Sequence, residues 1–211
     1  CLENTDVTFA LDRAGIVGED GPTHSGNFDV SFMRCIPNIV IATPSDENEM
    51  RILLNSCYEY KGPAAIRYPR GSGRGTEISK ELSIAEIGKG RKIRDGEEIC
   101  ILNFGVLLDR AEEVANELNY GLYDMRFVKP LDHELIDNLV QNYTKLVTLE
   151  DHTAVGGSGS AVNEYLSQKK ILKPILNLGL KDVFPPHGSR NEILTLNGLD
   201  VDGLKKQISK F

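Results

Sequence analysis

At 211 residues the chain has room for one large domain or two small ones, enough to bury a core without disulfides or metal. Hydrophobic residues at 40% and charged residues at 26% exclude disorder as the main state, and no apolar run approaches the ~18 residues of a membrane span. A formal charge of −7 makes the chain a poor partner for nucleic acid or anionic lipid, although a local cluster of Arg and His still suits an anionic substrate.

Residues 8–11 read as a short buried strand, followed by a polar, glycine-rich loop over 12–27. About two turns of helix fit 28–35 before Pro37, and 39–42 is a second strand running into Thr43-Pro44. Asp46 and Glu49 have the spacing of a capping box, and Met50, Leu53, Leu54 and Cys57 recur at helical intervals until about Tyr60. Residues 64–68 form a third strand. The GSGRG run at 71–75 and the weakly periodic stretch 76–90 are the best linker candidate, and a second unit follows.

In the second unit, 92–94 and 98–104 flank Asp95-Gly96, a hairpin signal. Residues 107–118 are an amphipathic helix, 121–127 a strand, and 132–141 a helix capped by Asp132. A strand at 146–150, a helix at 158–169, a strand at 174–178 and two short helices near 190–196 and 201–210 complete the chain. Strands alternating with helices of this length imply an α/β fold with parallel sheets.

The four cysteines, Cys1, Cys35, Cys57 and Cys100, lack CxxC spacing and read as buried free thiols in a reducing compartment. The chain starts with Cys and enters a strand pattern almost at once, which reads as the interior of a longer polypeptide.

Ligands of open parallel sheets bind beyond the carboxyl ends of the strands. The first strand runs into Asp12-Arg13 and the loop from Gly18 to His24, and the third runs into Pro69-Arg70-Gly71. If these strands are parallel, Arg13, Arg70 and the His24 loop share one sheet edge and make a site for a phosphate monoester or a carboxylate. The alternative is that the arginines pair with Asp12 or Glu19. His24 is of the residue type that shuttles protons, or is a hydrogen-bonding surface residue, and Asp20 in its Gly-flanked loop reads as a turn residue. The GGSG run at 156–159 fits neither phosphate-loop motif nor a nucleophile elbow, and reads as a tight strand-to-helix turn. His152 and His187 lack metal-ligand spacing.

These segments resemble the 1-deoxy-D-xylulose-5-phosphate synthases, thiamine-diphosphate enzymes of the transketolase-like group. The likeness runs through DRAGIVGEDGPTHSGNFDVSFMRCIPN at 12–38, TPSDENE at 43–49, RYPRG at 67–71, ILNFG at 101–105, DMRFVKPLD at 124–132, GGSGSAVNE at 156–164 and LNLGLKDVFPPHG at 176–188. GEDGPTH suits transketolases in general; DRAGIVG, RYPRG and DMRFVKPLD point to the synthases.

The resemblance implies the second half of a parallel-sheet pyrimidine-binding domain over 1–80, and a small α/β transketolase carboxyl-terminal domain over 81–211. It implies an enzyme that condenses pyruvate with glyceraldehyde 3-phosphate, losing carbon dioxide, to give 1-deoxy-D-xylulose 5-phosphate. Thiamine diphosphate and Mg2+ would serve the complete enzyme, held mostly by an upstream part, because the family's GDG…N motif and its catalytic glutamate are not in this sequence. By motif, Arg13 and Arg70 would clamp the acceptor's phosphate. Asp20 and His24 would face its hydroxyl and aldehyde, His24 as proton donor. A homodimer in the bacterial cytoplasm or plastid stroma is the expected setting. The rival readings are a subunit of a two-chain transketolase or 2-oxoacid dehydrogenase, and an inert dimerisation piece.

Overall fold

A computed structural model describes residues 1–211. In chain order the elements are β1 (Val7–Leu11), α1 (Asp29–Met33), β2 (Val40–Ala42), α2 (Glu47–Glu59) and β3 (Pro63–Arg67). Then come β4 (Arg91–Arg94), β5 (Ile99–Phe104), α3 (Leu108–Leu118), β6 (Gly121–Asp124), β7 (Phe127–Lys129) and α4 (His133–Asn142). The chain closes with β8 (Lys145–Thr153), α5 (Ser158–Gln168), β9 (Ile175–Leu180), α6 (Arg190–Asn197) and α7 (Val201–Ile208). No helix is long and apolar enough to cross a membrane.

Two sheets result, of orders β1-β3-β2-β7 and β4-β6-β5-β8-β9. In the first, β1, β3 and β2 are parallel and β7 joins antiparallel. In the second, β6, β5, β8 and β9 are parallel, with β4 antiparallel at one edge. Strand alternation decides how the layers meet. On β2 and β3, Val40, Ala42, Ala64 and Ile66 pack beneath Leu53 and Cys57 of α2. Ile41 and Ala65 face the other way, into a core shared with Leu102, Phe104, Ile136 and Val162 of the second unit. Ile99 and Ile101 of β5 point to the far side, onto Leu108, Val114, Leu204 and Ile208. One continuous apolar layer therefore joins the two sheets.

Four expectations need correction. The Asp95-Gly96 turn does not make a hairpin: β4 pairs with β6, and β6 lies between β4 and β5. Gly96 crosses over the start of β6 so closely that a Cβ there would lie 2.2 Å from the Gly121 nitrogen. The strand expected over 121–127 is two strands, because Arg126 turns left-handed at φ 60° and sends β7 into the other sheet. The capping box at α2 is half-formed. Asp46 accepts from the Glu49 N–H at 2.8 Å. The Glu49 carboxylate is buried and instead holds Arg126 at 2.8 Å and Arg91 at 3.2 Å. Of the helical stripe, Leu53 and Cys57 are buried while Leu54 faces solvent. All four cysteines are free; Cys57 and Cys100 are buried as expected, but Cys35 is exposed and Cys1 only half-buried.

Candidate functional site

In the parallel ladder Leu11 of β1 stands opposite Arg67 of β3, so the segments leaving both strands start from one edge. The backbone extends that pairing: Tyr68 N–H donates to the Leu11 carbonyl at 3.0 Å, and Ala14 N–H to the Tyr68 carbonyl at 2.9 Å. Arg13, between them, is left-handed at φ 57°. Its Nε lies 3.6 Å from one oxygen of Asp20, and Arg70 Nε lies 3.2 Å from the same oxygen. Arg13 also pairs with Asp12 at 2.9 Å, and Arg70 stands 4.0 Å from Glu19. The acidic pairings weighed against a ligand site are thus present together with the convergence itself. The side chains of Arg13 and Arg70 keep 43% and 44% of their surface exposed, so both charges are open to an anion.

His24 closes a short 3-10 turn (Pro22–His24) and is exposed. Its Nδ1 is 3.0 Å from the Thr23 hydroxyl. No hydrogen bond or ion pair joins it to Arg13, Asp20 or Arg70. The structure therefore assembles three of the four residues expected at this edge and leaves the fourth on the neighbouring turn.

The GIVGEDG run explains how the loop is held. Gly15, Gly18 and Gly21 all have positive φ, at 71°, 72° and 77°, and each backs onto the second unit. A Cβ on Gly15 would lie 2.6 Å from the Asp151 carbonyl oxygen and 2.4 Å from its carboxylate. One on Gly18 would lie 3.1 Å from the Arg190 nitrogen, and one on Gly21 would strike the His187 ring. The first unit supplies the charges of this edge, and the second supplies the wall behind them. Gly15→Ala adds left-handed strain to an overpacked contact against backbone, so it should cost about 2–4 kcal/mol. A denaturation midpoint within error of wild type would show that the wall yields.

Beneath the loop lies a group that sequence reasoning missed. Arg67, at the end of the apolar strand β3, is almost fully buried. Its Nε and Nη2 donate to Asp29 at 2.8 and 3.1 Å, Nη1 to Asp151 at 3.1 Å, and Nη2 also to the Gly26 carbonyl at 3.2 Å. Burial works against its charge, and Asp151 and Asp29 more than restore it. The signal was a charged side chain in a strand whose every residue is buried, which requires a buried counter-ion.

His152 sits wholly buried between Asp29 and Glu150, 3.7 and 3.8 Å away. Burial, then the nearby Arg67, holds its imidazole below the ordinary value. Burial pushes the Glu150 carboxyl up to about 7, against the pull of the Gly159 and Ser158 amides. Those amides, the first of α5, donate to Glu150 at 2.9 and 2.7 Å. The GGSG turn is thereby satisfied by the chain's own carboxylate rather than by a phosphate.

Known proteins fit this arrangement. Residues 1–76 match the pyrimidine-binding domain of transketolase, and residues 88–204 match the transketolase carboxyl-terminal domain. The chain is 53% identical to the 1-deoxy-D-xylulose-5-phosphate synthase of Cellvibrio japonicus over 209 residues, which is 99% of this chain and 33% of that protein. It is 54% identical to the synthase of Vibrio campbellii over 205 residues, 97% of this chain and 33% of that one. It thus spans about a third of the length of these relatives. Among solved structures, a split gene transketolase described as an inactive β4 tetramer superposes with a TM-score of 0.87 at 28% identity, covering 100% of this chain and 68% of that one. With both transketolase domain types present in order, and the carboxyl-terminal one alone accounting for more than half of its residues, the chain belongs to the transketolase family.

Proposed function

We propose that this chain supplies the acceptor-phosphate site of a thiamine-diphosphate-dependent synthase. That enzyme joins pyruvate to glyceraldehyde 3-phosphate with loss of carbon dioxide and yields 1-deoxy-D-xylulose 5-phosphate. The observation that carries the reading is the pair Arg13 and Arg70, meeting at Asp20 on the carboxyl edge of a parallel sheet. Two exposed guanidiniums in that position offer a phosphate monoester several charge-assisted hydrogen bonds. The identity to named synthases, above 50% across nearly the whole chain, supports the choice of substrates.

In this reading Asp20 holds both guanidiniums in register before the phosphate arrives and then faces the acceptor's hydroxyl. His24, on the next turn, gives a proton to the aldehyde oxygen as the new carbon–carbon bond forms. No three His, Cys, Asp or Glu side chains of this chain are grouped to hold a metal ion, so the residues present do not by themselves fit the family's Mg2+. Thiamine diphosphate and Mg2+ are assigned to the rest of the enzyme, together with the residues that activate the thiazolium, and no step here runs through them. A homodimer of the complete enzyme is part of the same reading.

A complete enzyme carrying this chain should convert pyruvate and glyceraldehyde 3-phosphate to 1-deoxy-D-xylulose 5-phosphate and carbon dioxide. Ketol transfer between sugar phosphates without carbon dioxide release would replace the reading with a two-chain transketolase, the alternative that the split-gene neighbour favours. The 211-residue chain alone, given both substrates, Mg2+ and thiamine diphosphate, should release no carbon dioxide above blank. Turnover by it would show that the cofactor site is built from these residues after all.

A further inference from the structure

The seam between the two units has a histidine at its centre. His152, near the end of β8 in the second unit, is wholly buried. The partners of its two ring nitrogens fix where its proton sits. The Thr153 carbonyl, 2.8 Å from Nδ1, can only accept, so Nδ1 carries the hydrogen. The Ser31 backbone N–H, 3.4 Å from Nε2, can only donate, so Nε2 carries a lone pair. The ring is therefore neutral and held in one tautomer.

Ser31 belongs to the first turn of α1, where amides have no acceptor within their own helix. Phe28 supplies no side-chain cap, and an imidazole from the other unit takes that role. Further bonds run along the same seam. Thr153 N–H donates to the Asn27 carbonyl at 3.0 Å, and the Ser31 hydroxyl to the Val155 carbonyl at 2.9 Å. The segment 27–31, which follows the His24 turn, is thus fastened to the end of β8.

The charges that face the ring are already engaged. From α1, Asp29 stands 3.7 Å from Nε2 but accepts Arg67 Nε at 2.8 Å and Nη2 at 3.1 Å. From β3, Arg67 is itself a cation. On β8, Glu150 stands 3.8 Å from Nδ1 and accepts the Ser158 and Gly159 amides of α5. Asp151 accepts from Arg67, with Arg190 of α6 at 3.8 Å. β9 brings only Gly179 against the His152 backbone. A proton on Nε2 would set two donors face to face at Ser31, and the neighbouring Phe28 carbonyl already accepts from Phe32 N–H at 3.4 Å. Burial, then Arg67, disfavours the charged ring, and Asp29 with the Thr153 and Phe28 carbonyls offsets this only in part.

We propose that His152 is a pH-sensitive latch between the two units. The neutral ring ties α1 to β8, and a protonated ring releases the Ser31 amide and loosens the segment that follows the His24 turn. Because folding holds the imidazole below its ordinary value of 6.5, the latch is closed above that pH and opens as the pH falls below it. Glu150, whose carboxyl is raised to about 7, contributes to stability with the opposite sign, so the test has to be local.

That test is hydrogen exchange in the complete enzyme, read at the Ser31 amide from pH 8 to pH 5 and corrected for the intrinsic pH dependence of exchange. Protection there should fall about two- to tenfold, the worth of one ordinary hydrogen bond. His152→Gln, whose side-chain oxygen accepts at every pH, should abolish the fall. Nitrogen NMR of histidine-labelled wild type gives a second reading that needs no variant. His152 should show the Nδ1–H tautomer at pH 8 and gain its second proton over the range in which protection is lost. Unchanged protection at pH 5, an equal fall in His152→Gln, or a ring protonated on Nε2 at pH 8 would each overturn the proposal.

Discussion

Arg70→Ala in the complete enzyme should lower kcat/KM for glyceraldehyde 3-phosphate about ten- to hundredfold, the equivalent of ~1.5–3 kcal/mol for one charge-assisted partner of an anion. Pyruvate binding should change little, because the proposed site puts the residue at the phosphate end of the acceptor. Arg13→Ala should behave alike. Since both guanidiniums lean on a single Asp20 oxygen, losing one leaves the other more tightly held by that carboxylate. The double variant should therefore fall short of the sum of the singles. An unphosphorylated aldehyde should barely register either change. If Arg70→Ala impairs phosphorylated and unphosphorylated acceptors equally, Arg70 serves only its acidic neighbours and the site lies elsewhere.

Arg67→Leu should produce the largest loss of stability. It leaves Asp29 and Asp151 without their common cation, and Asp151 is almost fully buried. Removing one member of a buried ion pair costs about 3–5 kcal/mol. At roughly 2–4 °C per kcal/mol for a chain of this size, that is a fall in Tm of roughly 6–20 °C. Arg67→Lys keeps the charge but lacks the fork that serves Asp29, Asp151 and the Gly26 carbonyl together, so it should fall between wild type and Leu. A Leu variant melting within about 2 °C of wild type would mean that the two carboxylates find other partners.

Much of this architecture is legible in the sequence because it is local. Asp46 and Asp132 each stand one residue before a helix and accept the amide three residues on, which short-range pattern alone predicts. The failures occur where a distant segment decides. Asp95-Gly96 has the composition of a hairpin turn, yet β6, some twenty-five residues later, takes the place beside β5. Glu49 has the spacing to close a capping box, but two arginines from beyond the linker bind it more strongly than one backbone amide would. The candidate site divides in the same way. Arg13 and Arg70 follow from the rule that ligands gather at strand ends, whereas Asp20 reads locally as a turn residue and joins them only by motif. His24 shares their loop but not their contacts. Arg190 and His187 form part of the site's wall from far along the chain, and no spacing rule connects them to it.

β7 carries the last consequence. Residues 127–129 follow the linker, yet they complete the first sheet as the strand beside β2, and the linker itself is pinned to α2 where Arg51 donates to the Ser79 carbonyl at 2.8 Å. Covalent order and spatial order therefore disagree about where one unit ends. A protease nick within the GSGRG run should cut the polypeptide without parting it. The two pieces should elute together on a native column, separate only in denaturant, and find each other again when it is removed.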